Sequence, residues 1–429
     1  MTASIGIDFG TTNSAAAIAT PDRTVRLASF PSRAGGPRTA ARSVLFFDPE
    51  DQRPGKRTYP VVGNAAIERS IDQDGEGRFI QSTKSWLASR GFESTDVLGH
   101  RWKLEQLIAE VVGMLRDAVA PDRVDGVRVI AGRPVQFARA DDMADDAYAE
   151  GRLRRALALA GFEDVTFELE PIGAAWHYAN ALEQDELVLI GDFGGGTSDF
   201  TLIDVGPGAW AGTRDQRRSA VRGTDGVGLA GDALDAAIVR NVVAPAFGQG
   251  GLMKTAFGDP MPLPHWPFVH LERWHQLSML GTPAMLRRLR SLEKDALEAD
   301  RFGGLVHVVE HDLGFAMYRA VQACKAELSK RDEARFVFVD EDVCVDAAVR
   351  RTDFEAWIAL ELEEMDAAVT RLLEATSVAP EQVDRVFLTG GTSLVPAVRR
   401  LFADRFGADK LATGDELTSV ARGLALSGL

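Results

Sequence analysis

Residues 187–205 read Leu-Val-Leu-Ile-Gly-Asp-Phe-Gly-Gly-Gly-Thr-Ser-Asp-Phe-Thr-Leu-Ile-Asp-Val. An apolar run reaches Asp192, three glycines and Thr197 make a tight turn, and a second apolar run leaves from Phe200, which predicts a buried β-hairpin. Its tip suits phosphate. Gly194, Gly195 and Gly196 have no Cβ, so backbone N–H groups can converge on an anionic oxygen, and Thr197 and Ser198 add hydroxyl donors. The flanking carboxylates of Asp192 and Asp199 repel a bare phosphate, so they make sense beside a cation or beside a water that they orient. Together these features point to a magnesium nucleotide.

The same logic occurs at the start of the chain. Ser4-Ile-Gly-Ile-Asp-Phe-Gly-Thr-Thr-Asn-Ser14 leads a strand to Asp8, turns on Gly10 and hydroxyl residues, and leaves as a second strand through Ala15 and Ile18. The second Asp-Phe-Gly turn starts 184 positions after the first, as expected of two related lobes with a ligand between them. A third glycine site, Val386-Phe-Leu-Thr-Gly-Gly-Thr-Ser-Leu-Val-Pro396, ends a strand at Gly390 and Gly391 and starts a helix soon after, a form in which backbone approaches a ring or sugar closely. Residues 226–235 likewise pass from a Gly-rich turn into a helix, so that Gly231 stands at an N-terminus able to contact phosphate or ribose.

Composition narrows the partners. A formal net charge of -15 argues against sequence-independent nucleic-acid binding, which needs clustered Lys and Arg. Cys324 and Cys344 are too few for a disulfide framework, no secretory signal precedes the first strand, and no apolar run has membrane-spanning length. The expectation is a cytoplasmic protein with neither nucleic acid nor membrane as partner.

Between the glycine sites the pattern is uneven. Residues 25–101 alternate charged loops with short apolar pieces, and here Lys84 stands alone among apolar neighbours, as a snorkelling surface lysine would. Leu104, Leu107, Ile108, Val111, Val112, Leu115 and Val119 follow helical spacing. A strand over 127–134 precedes an acidic helix start at 141–146, and a strand over 165–169 runs into a helix opened by Glu170 and Pro171. Residues 206–225 read as a polar loop, 246–282 as an aromatic, Pro-rich excursion, 316–330 as a helix with Lys325 and Ser329 on one face, and 354–372 as one long amphipathic helix. His307-Val-Val-Glu-His311 matches an inverted zinc-protease pattern, but that chemistry needs a helix, and the β-branched segment with Gly314 close behind argues against it.

The three glycine sites, in this order, resemble the actin, sugar-kinase and heat-shock ATPase superfamily, and most closely its seventy-kilodalton heat-shock (DnaK-type) members. The resemblance covers nearly the whole chain. It implies an α/β, two-lobed actin-like ATPase fold of duplicated ribonuclease-H-like domains, with lobes at 1–186 and 187–429 and inserted subdomains near 44–101 and 227–315. It also implies ATP or ADP with Mg2+ as ligands. Asp8 and Asp192 then hold the magnesium through water, while Gly10, Thr11, Thr12, Asn13, Gly194, Gly195, Gly196 and Thr197 hold phosphates. Lys84 positions the γ-phosphate and the attacking water, Glu170 and Asp199 stand beside that water, and Gly231, Lys325, Ser329, Gly390, Gly391 and Thr392 contact the nucleoside.

Several positions depart from the family pattern. Gln322 stands where a glutamate is usual, Leu394 replaces an adenine-stacking arginine, and neither Asp415 nor Glu416 clearly supplies the usual acid of the closing helix. No peptide-binding domain is expected after Leu429, which resembles the truncated YegD-like branch. The sequence reading is thus a slow, chaperone-like ATPase whose protein client or co-chaperone is unidentified. Its alternatives are a non-catalytic nucleotide-dependent binding module and a small-molecule kinase of the sugar-kinase type.

Overall fold

The computed structural model describes residues 3–429 except 32–36, 54, 74–76, 121–125, 139, 141, 180–181, 210–218, 257, 274–276, 342 and 413–418. Asp415, Glu416, Trp274 and His275 therefore lie outside the described residues. Packing divides the chain into two compact units. The first is Met1–Ala230 with Glu364–Leu394 and Val398–Leu429, and the second is Gly231–Glu363 with Val395–Ala397.

The first unit contains two sheets of identical strand order. In one, Ser4–Phe9 pairs antiparallel with Asn13–Ala19, which takes Val25–Leu27 on its far side, while Arg128–Arg133 and Val165–Leu169 extend the other side in parallel. In the other, Glu186–Phe193 pairs antiparallel with Ser198–Val205, which takes Val221–Val227, while Arg385–Thr389 and Leu411–Ala412 extend it in parallel. Both expected Asp-Phe-Gly hairpins are present. The 206–225 reading is corrected: its last residues belong to Val221–Val227, a strand of polar and glycine residues formed by pairing with Ser198–Val205.

Each sheet is covered by the helix that follows the other. Glu170–Ala179 continues from the edge of the first sheet, yet Ile172, Ala174 and Ala175 pack with Val188, Ile190 and Ile203 of the second. Ser419–Ser427 closes the second half, yet Ala421 and Ala425 pack with Ala15, Ala17 and Ala19 of the first. The crossing is close because it is made of glycines: a Cβ on Gly423 would meet the Gly173 carbonyl oxygen at 1.7 Å. The helix Leu104–Val119 buries all seven apolar residues that its spacing singled out, in one core with Ile5 and Ile7.

The second unit holds Gly231–Ile238, Trp266–Glu272, Pro283–Asp295, Ala299–Glu310 and Gly314–Leu328, with a ribbon made by Glu333–Asp340 and Val343–Arg350. Phe268 from the aromatic excursion is buried edge-on against Phe302 at 6.1 Å, so this part of the excursion is core. Two sequence readings are corrected. His307 lies in the helix Ala299–Glu310 despite its β-branched neighbours, because Phe302, Leu305, Val306 and Val309 form a buried helical face. The expected long helix is two, Arg351–Trp357 and Ala359–Thr376, broken at the buried Ile358.

Candidate functional site

Both hairpin tips are braced from within. The Gly194 amide donates to the Thr197 carbonyl at 2.9 Å, closing the glycine turn. At the first tip the Gly10 amide donates to Ser14 Oγ at 3.2 Å, Ser14 and Ser43 share a hydroxyl hydrogen bond at 2.8 Å, and the Ser43 amide donates to the Thr12 carbonyl at 2.9 Å. Gly10 is required there, since a Cβ would sit 2.1 Å from the Asn13 carbonyl oxygen. Thr11, Thr12, Asn13, Gly195, Gly196 and Thr197 are half-buried on these tips.

Below the tips the charges converge. Asp192 faces Asp199 directly across the antiparallel pair, an arrangement of like charges that destabilises a sheet unless something else uses it. The Lys84 ammonium lies 2.6 Å from Glu170 Oε1, and both side chains are nearly buried. Lys84 is therefore no snorkelling surface residue. It stands on the short helix Thr83–Trp86, while Glu170 begins the helix that leaves the first sheet. Asp8, Glu170, Asp192 and Asp199 all act electrostatically on one another or on this lysine.

Among the described residues, four carboxylates thus share the charge of Lys84. Burial, then Glu170, pushes the Asp8 carboxyl up to about 7 against the opposing pull of Lys84. Burial also lifts Asp199 to about 7, with Glu170 adding to the rise, while the hydrogen bond from Thr197 Oγ1 at 3.0 Å and the charge of Lys84 oppose it. Asp192 is raised well above the usual carboxylate range by burial and by Glu170, Asp8 and Asp199. Burial opposes the charge on Lys84, but Glu170 and Asp8 outweigh it and hold the ammonium above its ordinary value. Such a cluster is short of positive charge, and its oxygen-only donors suit a hard divalent cation. Among the described residues no group of three or more His, Cys, Asp or Glu side chains is placed to ligate a metal directly.

Two glycines absent from the sequence-based site shape this cluster. A Cβ on Gly132 would lie 2.9 Å from Glu170 Cγ, and one on Gly226 would lie 2.9 Å from Asp199 Oδ1. Gly132 gave a signal, as the residue before the Arg-Pro strand end, but its meaning depends on Glu170 in the neighbouring element. The third glycine site packs on the central hairpin. Gly390, at φ +85°, would place a Cβ 2.1 Å from the Phe193 carbonyl oxygen, whereas Gly391 has open space around it. Thr392 is buried, Ser393 Oγ donates to the Gly390 carbonyl at 2.6 Å, and Leu394 is 48% exposed.

The remaining expected residues sit in the second unit. Lys325 Nζ pairs with Asp235 Oδ1 at 2.6 Å and donates to the Gly231 carbonyl at 3.1 Å, and Ser329 Oγ donates to the Lys325 carbonyl at 3.1 Å. Asp235, fully buried one turn into the helix Gly231–Ile238, escaped the sequence reading because its partner is far along the chain. His307 Nε2 lies 2.7 Å from Asp340 Oδ2, so its ring joins the helix Ala299–Glu310 to the ribbon.

Two sheets of one strand order, each opening with an Asp-Phe-Gly hairpin and capped by the helix from the other half, define an α/β actin-like ATPase fold. The model of the Hsp70 protein family matches residues 315–429. Over 438 aligned positions the chain is 23% identical to the chaperone protein DnaK of Thermus thermophilus, and equally to the DnaK of a second strain of that organism. These alignments cover 99% of this chain, which spans 60% of the length of each relative. By sequence the chain is therefore similar to Hsp70-family chaperones, with its last quarter matching the family model itself.

Proposed function

We propose that this chain binds ATP and ADP with Mg2+ and hydrolyses ATP slowly, as a chaperone-type ATPase of the cytoplasm. The observation that carries this reading is the cluster of four carboxylates around Lys84, with Glu170 buried and Asp8, Asp192 and Asp199 half-buried, set under two glycine hairpin tips. The lobes of this reading are 1–186 and 187–429, with insertions near 44–101 and 227–315.

In this reading Asp8 and Asp192 would hold a magnesium ion through water, and the charge it supplied there would offset that of the phosphates. Gly10, Thr11, Thr12, Asn13, Gly194, Gly195, Gly196 and Thr197 cradle the phosphates, and Gly231, Lys325, Ser329, Gly390, Gly391 and Thr392 hold the nucleoside. Lys84 stabilises charge on the γ-phosphate. Glu170 and Asp199 orient the attacking water. As its oxygen bonds to phosphorus and the bridging P–O bond to ADP breaks, Asp199 takes the released proton, a task suited to a carboxyl raised to about 7. A protein client or co-chaperone completes the proposed cycle.

The test pairs binding with turnover. Magnesium ATP should raise the melting temperature, since a ligand that binds only the folded state stabilises it. Lys84→Ala should bind ATP within about tenfold of wild type while single-turnover hydrolysis falls roughly a hundred- to a thousand-fold. Equal hydrolysis by the two proteins would remove Lys84 from the chemistry, and the absence of any thermal shift would remove nucleotide binding itself.

A further inference from the structure

The short helix that carries Lys84 is held by a neighbour that takes no part in the cluster. Arg152 is 1% exposed, one of the most deeply buried large side chains in the chain. Its Nε donates to Glu105 Oε1 at 3.0 Å, and its Nη1 donates to the carbonyls of Trp86, Leu87 and Ser89 at 3.3, 3.5 and 3.2 Å. These carbonyls lie at the end of the helix Thr83–Trp86 and just beyond it, and those of Trp86 and Ser89 also accept from the Ser89 and Phe92 amides at 3.1 and 3.4 Å, so the guanidinium adds a second donor to each.

The same helix face makes further contacts with this segment. Asp145, Tyr148 and Arg152, spaced by three and four along Met143–Leu159, share one face. Asp145 Oδ1 accepts from Arg90 Nε at 2.8 Å, and the Arg90 guanidinium lies over the Tyr148 ring at 4.7 Å. The turn starts from Ser82 at φ 54°, a left-handed conformation that a non-glycine residue holds only when its surroundings enforce it.

We propose that Arg152, with Glu105, is a positioning residue for Lys84: its guanidinium fixes the 83–89 turn so that the Lys84 ammonium is held against Glu170. The proposal rests on the reading of Lys84 as the phosphate-facing lysine for its catalytic consequence, but not for its geometric one. A loosened turn displaces the ammonium, and a displacement of about 1 Å at a reacting centre costs on the order of a hundredfold in rate. Affinity is spread over both glycine tips and changes little.

A purely structural ion pair makes a different prediction, and a double variant separates the two. Arg152→Met alone leaves the Glu105 carboxylate to the exposed Arg155, whose Nη2 lies 3.3 Å from Oε1, and lowers stability, whereas Glu105→Leu with Arg152→Met replaces the buried pair by apolar groups of similar volume and frees Arg155 to solvent, a change that proteins often tolerate without loss. Wild type, both variants and Lys84→Ala are compared in the full-length chain. The measurements are melting temperature, magnesium-ATP affinity, single-turnover hydrolysis, and the rate at which an amine-acylating reagent modifies Lys84, read by peptide mass spectrometry with Lys325 as the internal control. The expected result is a double variant that melts near wild type and binds ATP within about threefold, yet acylates at Lys84 at least about tenfold faster and hydrolyses on the order of a hundredfold slower. A double variant with wild-type Lys84 acylation overturns the proposal, as does one that recovers turnover along with stability. Faster acylation at Lys84 in chains that never hydrolyse ATP supports the positioning role and rejects the ATPase reading instead.

Discussion

Asp192 stands where its own charge works against the fold. It sits opposite Asp199 in the sheet register and under the influence of Glu170 and Asp8, with Lys84 as the opposing positive charge. Removing its charge should relieve that repulsion. Asp192→Asn is expected to stabilise the nucleotide-free protein by about 1–2 kcal/mol at pH 8, within the range of single stabilising changes, and to lose the melting-temperature rise that the proposed magnesium nucleotide would cause. Urea unfolding with and without magnesium ATP checks both halves. The pH dependence has a definite sign. Asp8 and Asp199 titrate at about 7 in the folded protein against an ordinary value of 3.8, so between these values the folded state keeps protons that the unfolded state releases. Their contribution to stability is therefore greatest at or below pH 3.8 and is lost as pH rises toward 7. The nucleotide-free protein should melt at falling temperature from pH 5.5 to 8 in a series of calorimetric scans, flattening above about 7, and EDTA should have no effect on that slope unless magnesium is bound.

At the scale of elements, glycines separate the requirements of the fold from those of local structure. Gly423 and Gly173 let two helices cross at backbone contact, and no rotamer change can admit a methyl group 1.7 Å from a carbonyl oxygen. Gly423→Ala should therefore cost at least about 3 kcal/mol or prevent folding. Gly113 lies inside Leu104–Val119 with nothing within 4 Å of an added Cβ, so Gly113→Ala should gain about 0.5–1 kcal/mol from helix propensity alone. Chemical denaturation of the two variants side by side tests the contrast, and a neutral Gly423→Ala would show that the helix crossing can open. Elements also divide by how local their cause is. Leu104–Val119 was legible because its seven apolar positions set a 3.6-residue period, and both Asp-Phe-Gly hairpins were legible because turn and flanks lie in one short stretch. Val221–Val227 was not, because its polar residues become a strand through hydrogen bonds offered by Ser198–Val205. The helix around His307 was hidden for a related reason: β-branched residues lower helix propensity, but burial of Phe302, Leu305 and Val309 outweighs it.

Across the whole molecule, the two compact units are built differently. The first interleaves three separate stretches of the chain, while the second is almost entirely the continuous segment Gly231–Glu363 with its own buried residues, among them Phe268, Phe302, Met317 and Phe336. A continuous segment with its own core is expected to fold alone, so residues 231–363 expressed separately should give a cooperative thermal transition by circular dichroism. A featureless melt would show that this core depends on the rest of the chain. The amino-acid sequence by itself determined the two hairpins, the glycine turn at Gly390 and the long buried helix, because each is written within a few turns of chain. Only the tertiary structure decided that Lys84 is buried against Glu170, that Gly132 and Gly226 leave room for the carboxylates, and that Arg152 grips the turn carrying the lysine. These facts depend on residues that are far apart in sequence and adjacent in space, and the burial that gives their charges meaning exists only once the sheets and helices have packed.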